Sequence, residues 1–149
     1  MLDAVTLQEL AREYCRRMTS GNVDEILKMF TENARFEDPV GSPPLFGLDE
    51  LRVHLERACA AKTVDIPGTP VAARDGRHVA IPVAAYMNYL PLGPTLTRHG
   101  YLGTPDDPYR KRIKFSLTSI IRVGPDELFE AVWIYWGKSD LSLLDPGQE

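Results

Sequence analysis

An α+β fold is predicted, with three N-terminal helices packed across a strongly curved antiparallel sheet. Three observations predict it. Over the first 60 residues, apolar side chains recur at three- and four-residue steps, the helical period. From Thr63 onward the pattern changes to short runs that alternate or are apolar on both faces, cut by turns rich in Pro and Gly. Helices first and strands afterwards is the α+β order. At 149 residues the chain is long enough to bury one sizeable core. A single domain over residues 1–149 is expected, with a short C-terminal tail from about residue 141.

The first helix carries Leu7, Leu10, Ala11, Tyr14, Cys15 and Met18 on one stripe, and Gly21 ends it. Asn22 caps a second, short helix whose Val23, Ile26, Leu27 and Phe30 face inward. A strand, Ala34 to Asp38, runs into Pro39. The loop Gly41 to Gly47 contains Pro43 and Pro44 and leaves no room for regular structure. A third helix spans Asp49 to Ala60, with Leu51, Leu55 and Ala58 buried.

The strand Thr63 to Ala73 is broken at Pro67 to Pro70. His78 to Leu90 is apolar on both faces and ends at the turn Pro91 to Pro94. Thr95 to Leu102 is read as its partner strand, followed by a polar loop, Gly103 to Tyr109. Lys111 to Val123 alternates: Ile113, Phe115, Leu117, Ser119, Ile121 and Val123 point one way, and charged or hydroxyl side chains point the other. Gly124 to Glu127 forms a hairpin turn into the last strand, Leu128 to Trp136. Leu141, Leu143 and Leu144 pack the tail.

Composition excludes several functions. Net charge is −4, which does not recruit nucleic acid or anionic lipid. The longest apolar run, Val79 to Met87, is interrupted by Pro82 and falls short of the roughly 20 residues of a membrane span. The N-terminus has an early acid and no basic region, so no secretory signal is expected. Cys15 and Cys59 suggest no disulfide framework, and a cytoplasmic protein is expected. His54, His78 and His99 have no ligand spacing, and no phosphate-binding or nucleophile motif occurs, so neither metal nor cofactor is expected.

A curved sheet closed by helices encloses a pocket. Asp38 shares a strand face with Phe36, so a buried Phe36 turns Asp38 toward that pocket. A carboxylate there suits general acid–base chemistry; the competing reading is a turn residue of Asp38-Pro39-Val40-Gly41. Tyr14 lies within the apolar stripe of the first helix. Its hydroxyl is either an oxyanion donor or a core group bonded to backbone. Alternation places Asp65 on the exposed side of its strand. Should the strand curl inward, Asp38 and Asp65 form a carboxylate pair able to split into acid and base. Ser119 interrupts an inward apolar face. Phe36, Tyr86, Asn88, Trp133 and Tyr135 complete the expected substrate-binding lining.

Tyr14, the Gly21-Asn22-Val23-Asp24 break, Phe30 and the run Phe36-Glu37-Asp38-Pro39-Val40-Gly41-Ser42 resemble ketosteroid isomerases of the nuclear-transport-factor-2-like (SnoaL-like) superfamily. That enzyme is a worked example of pKa tuning. The resemblance implies a cone-shaped α+β roll, commonly dimeric, with Asp38 as the proton-shuttling base and Tyr14 as an oxyanion donor. Ser119 stands where the isomerases place a protonated Asp. The second half is more similar to a narrower group. Tyr89 to Pro94, Arg98-His99-Gly100-Tyr101-Leu102, Pro105-Asp106 and Tyr135 to Leu141 resemble the polyether epoxide hydrolase/cyclases, the ring-closing enzymes of monensin and lasalocid biosynthesis. In that family the catalytic pair is an Asp at the position of Asp38 and a Glu near that of Asp65.

The resemblance implies a cofactor-independent polyketide-tailoring cyclase that closes a cyclic ether by epoxide opening, acting as a homodimer on a hydrophobic, polyketide-like small molecule. Asp38 would be the base, Asp65 the acid and Tyr14 the donor to the developing alkoxide. Three other readings stay open: isomerisation of an unsaturated ketone, dehydrative pyran formation, and a non-catalytic small-molecule-binding module.

Overall fold

The computed structural model describes residues 1–149. Helix α1 (Ala4–Ser20) begins where the Asp3 carboxylate accepts the Thr6 N–H at 2.7 Å. It ends at Gly21, whose φ of 76° returns its N–H to the Arg17 and Met18 carbonyls. Leu7, Ala11, Tyr14, Cys15 and Met18 form its buried face, as the period predicts. Helix α2 (Val23–Leu27) is capped by Asn22 and is shorter than expected. Phe30 belongs instead to strand β1 (Phe30–Glu37). After β2 (Leu45–Phe46) comes α3 (Gly47–Ala60), with Leu51, Leu55 and Ala58 buried.

Strands β3 (Val64–Pro67) and β4 (Val71–Ala72) both pair antiparallel with β5 (His78–Asn88) and are separated by the expected turn. The Pro82 carbonyl accepts the Gly68 N–H at 2.7 Å. Its missing N–H therefore faces the gap between β3 and β4, where no ladder bond is needed. Strands β6 (Arg112–Val123), β7 (Phe129–Tyr135) and β8 (Leu141–Leu144) complete the sheet. The strand order is β2-β1-β7-β6-β5-β3, with β8 also on β6.

Two expectations are corrected. The sheet is mixed, not antiparallel, because β1 lies parallel to β7, with Glu37 opposite Trp133. The segment read as a strand from Thr95 to Leu102 is largely a fourth helix, α4 (Gly93–Arg98). Pro94 in its first turn supplies a preset helical φ. Gly93 lies directly against the Tyr89 ring, where an added Cβ would come within 2.3 Å, and the Tyr89 hydroxyl bonds Thr97 Oγ at 2.7 Å. Tyr89, at the end of β5, thus holds α4 by both ends.

The helices cover the inner face of the sheet, α1 over β3 and β5 and α3 over β1. The core between them is built on Leu7, Ile26, Leu51, Leu55, Ile121 and Phe129, all essentially without exposure. Phe129 packs edge-on against Phe30 at 5.3 Å and Tyr14 at 5.7 Å between ring centroids. No helix is long and apolar enough to cross a membrane. Phe129→Ala empties this aromatic knot and is expected to cost about 3–5 kcal/mol, read as a lowered urea midpoint with an unchanged slope.

Candidate active site

Asp38 follows the last residue of β1 on the same face as Phe36, which is buried. Arg35 and Glu37 face the other way and pair at 2.7 Å. The parallel register carries past the strand ends, since the Val40 N–H donates to the Ile134 carbonyl at 2.8 Å. Asp38 is thereby set beside the residue that follows β7. Trp136 Nε1 donates to Asp38 Oδ1 at 2.7 Å.

Helix α3 supplies the second partner. His54 lies three residues after Leu51 and four before Ala58, so it shares their buried face. Its Nε2 stands 3.2 Å from Asp38 Oδ2, and its ring packs on Phe36 at 5.1 Å between centroids. With Nε2 protonated, the imidazole is a donor, and both oxygens of Asp38 are engaged. The Asp38 side chain keeps 21 % of its exposure and His54 keeps 32 %, so the carboxylate opens to solvent on one side.

That side is a cavity of about 300 Å³. Asp38, Ser42, His54, Arg57, His99, Thr95 and Tyr101 supply its polar or polar-tipped lining, and Met87, Leu92, Leu96, Phe115, Leu117 and Trp136 most of its apolar wall. Trp136 is wedged edge-on between Phe115 and Tyr101, at 5.1 and 5.3 Å. It arrives there because β7 leaves β6 at Tyr135, opposite Thr118, and the chain rejoins β6 at Leu141, opposite Phe115. Five residues on one side span two on the other. Trp136 opens that detour, and the Asp140 carboxylate accepting the Gly137 N–H at 2.8 Å closes it.

The sequence-derived candidates fall into three groups. Asp38 lines the cavity. Tyr14, Phe36, Ser119 and Asp65 are turned to the interior but lie outside the cavity lining. Tyr86, Asn88, Trp133 and Tyr135 occupy the outer sheet face. Tyr86 lies under the Lys114 ammonium, Asn88 accepts from Arg112, and Trp133 stacks between Arg35 and Arg122. The reason is register: inward Ser119 and Ile121 of β6 pair with Ile134 and Val132 of β7, which sends Trp133 and Tyr135 outward. Sequence reasoning missed His54, Arg57, His99, Tyr101 and Trp136. The shared face of Ile134 and Trp136, and the spacing of His54 from Leu51, were the available signals for two of them.

Asp65 is turned inward, against its alternation. It pairs with buried Ala85, on the same face as Phe115 of β6. Its backbone is tied to α1, the N–H donating to Thr19 Oγ1 at 2.9 Å. The side chain borders a separate recess with Arg12, Cys15, Arg16, Thr19 and Pro67. Burial, and then the charge of Asp38, push its carboxyl up to about 7. Tyr14 is held well above its ordinary value, first by burial and then by the charges of Asp65 and Asp38. The three groups therefore form one electrostatic cluster, with the phenol protonated throughout the neutral range.

The folded state binds the Asp65 proton more tightly than the unfolded chain, whose value is near 3.8. Stability from this group is fully present below about pH 4, falls as pH rises toward about 7, and is flat above. Asp65→Asn lacks that slope. Relative to the parent, the variant is expected to gain stability steadily across this window, read as the difference in urea midpoint at the two ends.

Residues 11–131 match the SnoaL-like domain. Over 141 residues the chain is 45 % identical to "Epoxide hydrolase LasB" of Streptomyces lasalocidi, covering 93 % of this chain and 50 % of that protein. The chain thus spans about half the length of the curated relative it matches. A solved structure of the epoxide hydrolase/cyclase-like enzyme SalBIII, described for its role in pyran ring formation in the polyether salinomycin, superposes with a TM-score of 0.77. It is 30 % identical, with 91 % of this chain and 94 % of that chain covered. The family match spans most of the chain and agrees with the resemblance carried by Phe36 to Ser42, and this chain belongs to the SnoaL-like domain family.

Proposed function

We propose that this chain is a cofactor-independent polyketide-tailoring cyclase that closes a cyclic ether by opening an epoxide. The observation that carries the reading is Asp38. It is a carboxylate held by two nitrogen donors at an otherwise largely apolar cavity wall, with a second carboxyl in electrostatic reach whose pKa is raised to about 7. The likeness to two proteins named as epoxide hydrolase or hydrolase/cyclase supports it.

In this reading Asp38 is the base. Its two nitrogen donors hold the carboxylate in place at the cavity wall to take the proton of the attacking hydroxyl. That oxygen forms a bond to one epoxide carbon while the carbon–oxygen bond of the epoxide breaks. Asp65, protonated up to about pH 7, and Tyr14 lie behind the present cavity lining; once the bound chain reaches past that lining, Asp65 supplies the proton to the departing oxygen and Tyr14 donates to the developing alkoxide. The substrate is isomerised, so product and substrate have the same mass, and the proton gained by Asp38 and lost by Asp65 is exchanged through solvent. The apolar wall folds the chain so that hydroxyl and epoxide meet.

A second reading, pyran formation with loss of water, is favoured by the likeness to SalBIII, described for its role in pyran ring formation. It uses the same cavity. A further part of the proposal is that residues 1–149 work as one cytoplasmic unit and as a homodimer. The support is the outer sheet face opposite the helices, where Ile66 and Tyr135 are exposed beside a shallow groove formed with Pro82, Ala84, Ser116 and Thr118.

Two experiments test these statements. Incubation with a hydrophobic epoxy-alcohol is expected to give a cyclic ether of unchanged mass. Asp38→Asn and Asp65→Asn should each lower kcat by about 10²–10⁴, the range of general acid–base catalysis. A product lighter by one water supports pyran formation instead, and full activity in both variants overturns the carboxyl mechanism. Sedimentation of the parent should show a dimer, and Tyr135→Glu a monomer.

A further inference from the structure

The charges of the Asp38 cavity are unevenly satisfied. Several arginines elsewhere in the chain sit on carboxylates, among them Arg17 on Glu13, Arg35 on Glu37, Arg52 on Asp24 and Arg122 on Glu130, whereas Arg74, Arg98 and Arg110, all outside this cavity, do not. Arg57, the one arginine lining this cavity, has no ion pair and no hydrogen bond. His99, at the end of α4, is a second nitrogen base on the same lining, also exposed and without a partner. Asp38 is the only acid of the lining, and His54 and Trp136 already engage it. A chain of net charge −4 thus presents a free guanidinium and a free imidazole where its apolar cavity meets solvent. A local cation of this kind reverses the field that an approaching anion meets.

Arg57 follows His54 by one helical turn, so α3 presents the base-holding side chain and the free guanidinium in sequence along one face. A guanidinium offers five donors in a fixed fork, which matches the oxygens of a carboxylate or a phosphate.

We propose that Arg57, assisted by His99, binds the anionic end of the substrate, an oxyanion attached to the apolar chain whose reacting segment fills the cavity. The oxyanion is either the carboxylate of a free acid or the phosphate of a phosphopantetheine arm on a carrier-bound chain. This deepens the ring-closing reading by naming a feature of its substrate, and it shares the cavity with that reading.

The test uses unreactive probes. Isothermal titration compares octanoate, octanamide and octanoyl-phosphopantetheine on the parent chain. Octanoate or the phosphopantetheine thioester is expected to bind about tenfold tighter than the neutral amide, the scale of one charge-assisted hydrogen bond. The preference should fall with salt, collapse in Arg57→Gln and weaken in His99→Gln. Arg52→Gln, on the same helix but on Asp24, keeps it. Preference for octanoate assigns the anion to a free acid, and preference for the thioester alone assigns it to the carrier arm. Equal binding of all three probes, or a preference that survives Arg57→Gln, overturns the proposal. Turnover of a neutral epoxy-alcohol ester by the parent chain is measured separately. Its failure removes the ring-closing reading and leaves the anion preference standing, while turnover without any anion preference does the reverse.

Discussion

The parallel contact between β1 and β7 is the constraint on which the site depends. These strands are far apart in sequence and run in the same direction. Their register sets Glu37 opposite Trp133 and bonds Val40 to Ile134. Only with that alignment do Asp38 and Trp136, one residue past each strand end, come within a hydrogen bond. The opposite face of the same corner is clamped by Glu37. One of its oxygens takes the Arg35 guanidinium and the other accepts the Gly41 N–H at 2.9 Å, which holds its carboxyl below the usual range. Gly41 has a φ of 105°, a conformation side chains resist, so the loop after Asp38 requires glycine there. Glu37 pins the loop from outside while Asp38 is left facing in.

The environments of the two carboxyls differ in kind. Asp38 has two nitrogen donors and a view of solvent. Asp65 has a backbone tie to Thr19 but no donor on its carboxylate, and it lies under α1, where burial disfavours charge. The negative charge of Asp38 adds to the burial of Asp65. The same field acts on Tyr14 and on Cys15, whose thiol is pushed up to about 12 mainly by burial. A pair divided in this way can give and take protons at one pH, as two equivalent carboxylates cannot.

How much of this was legible in the chain depended on whether the signal was local. The buried faces of α1 and α3, the turn at Gly124 to Glu127 and the inward face of β6 follow from period alone, and the structure keeps them. Asp38 was legible through Phe36, because two residues on one strand share a face whatever lies beyond. Asp65 was not, since its neighbours Val64 and Ile66 argue for burial of the opposite face. Ile66 is in fact exposed, and what turns Asp65 inward is its pairing with Ala85. Trp133 and Tyr135 against Ile134 and Trp136 was a choice between two faces that only the register with β6 decides. Helix α4 resembles a strand by composition, and its conformation comes from Pro94 and from the contact of Gly93 with Tyr89.

Cavity size connects the reacting groups to the rim. About 300 Å³ is at the lower end of ligand pockets, which run from roughly 300 to 1,000 Å³. In the proposed ring closure such a space would enclose the segment of a chain that becomes one ring, with the remainder of a polyketide-sized substrate extending past the opening. Met87, Phe115, Leu117 and Trp136 give the cavity apolar, uncharged walls, which in the proposed reaction would favour a folded hydrocarbon segment and keep the hydroxyl and its electrophile out of bulk water. Hydrophobic contact there has no direction and does not choose which segment of a long chain enters. Directional contacts are needed for that choice. In this cavity the polar groups not already committed to Asp38 are Ser42, Arg57, Thr95, His99 and Tyr101. In the proposed ring closure, selection of the reacting segment would fall to these groups, and the chemistry to the corner that β1 and β7 hold together.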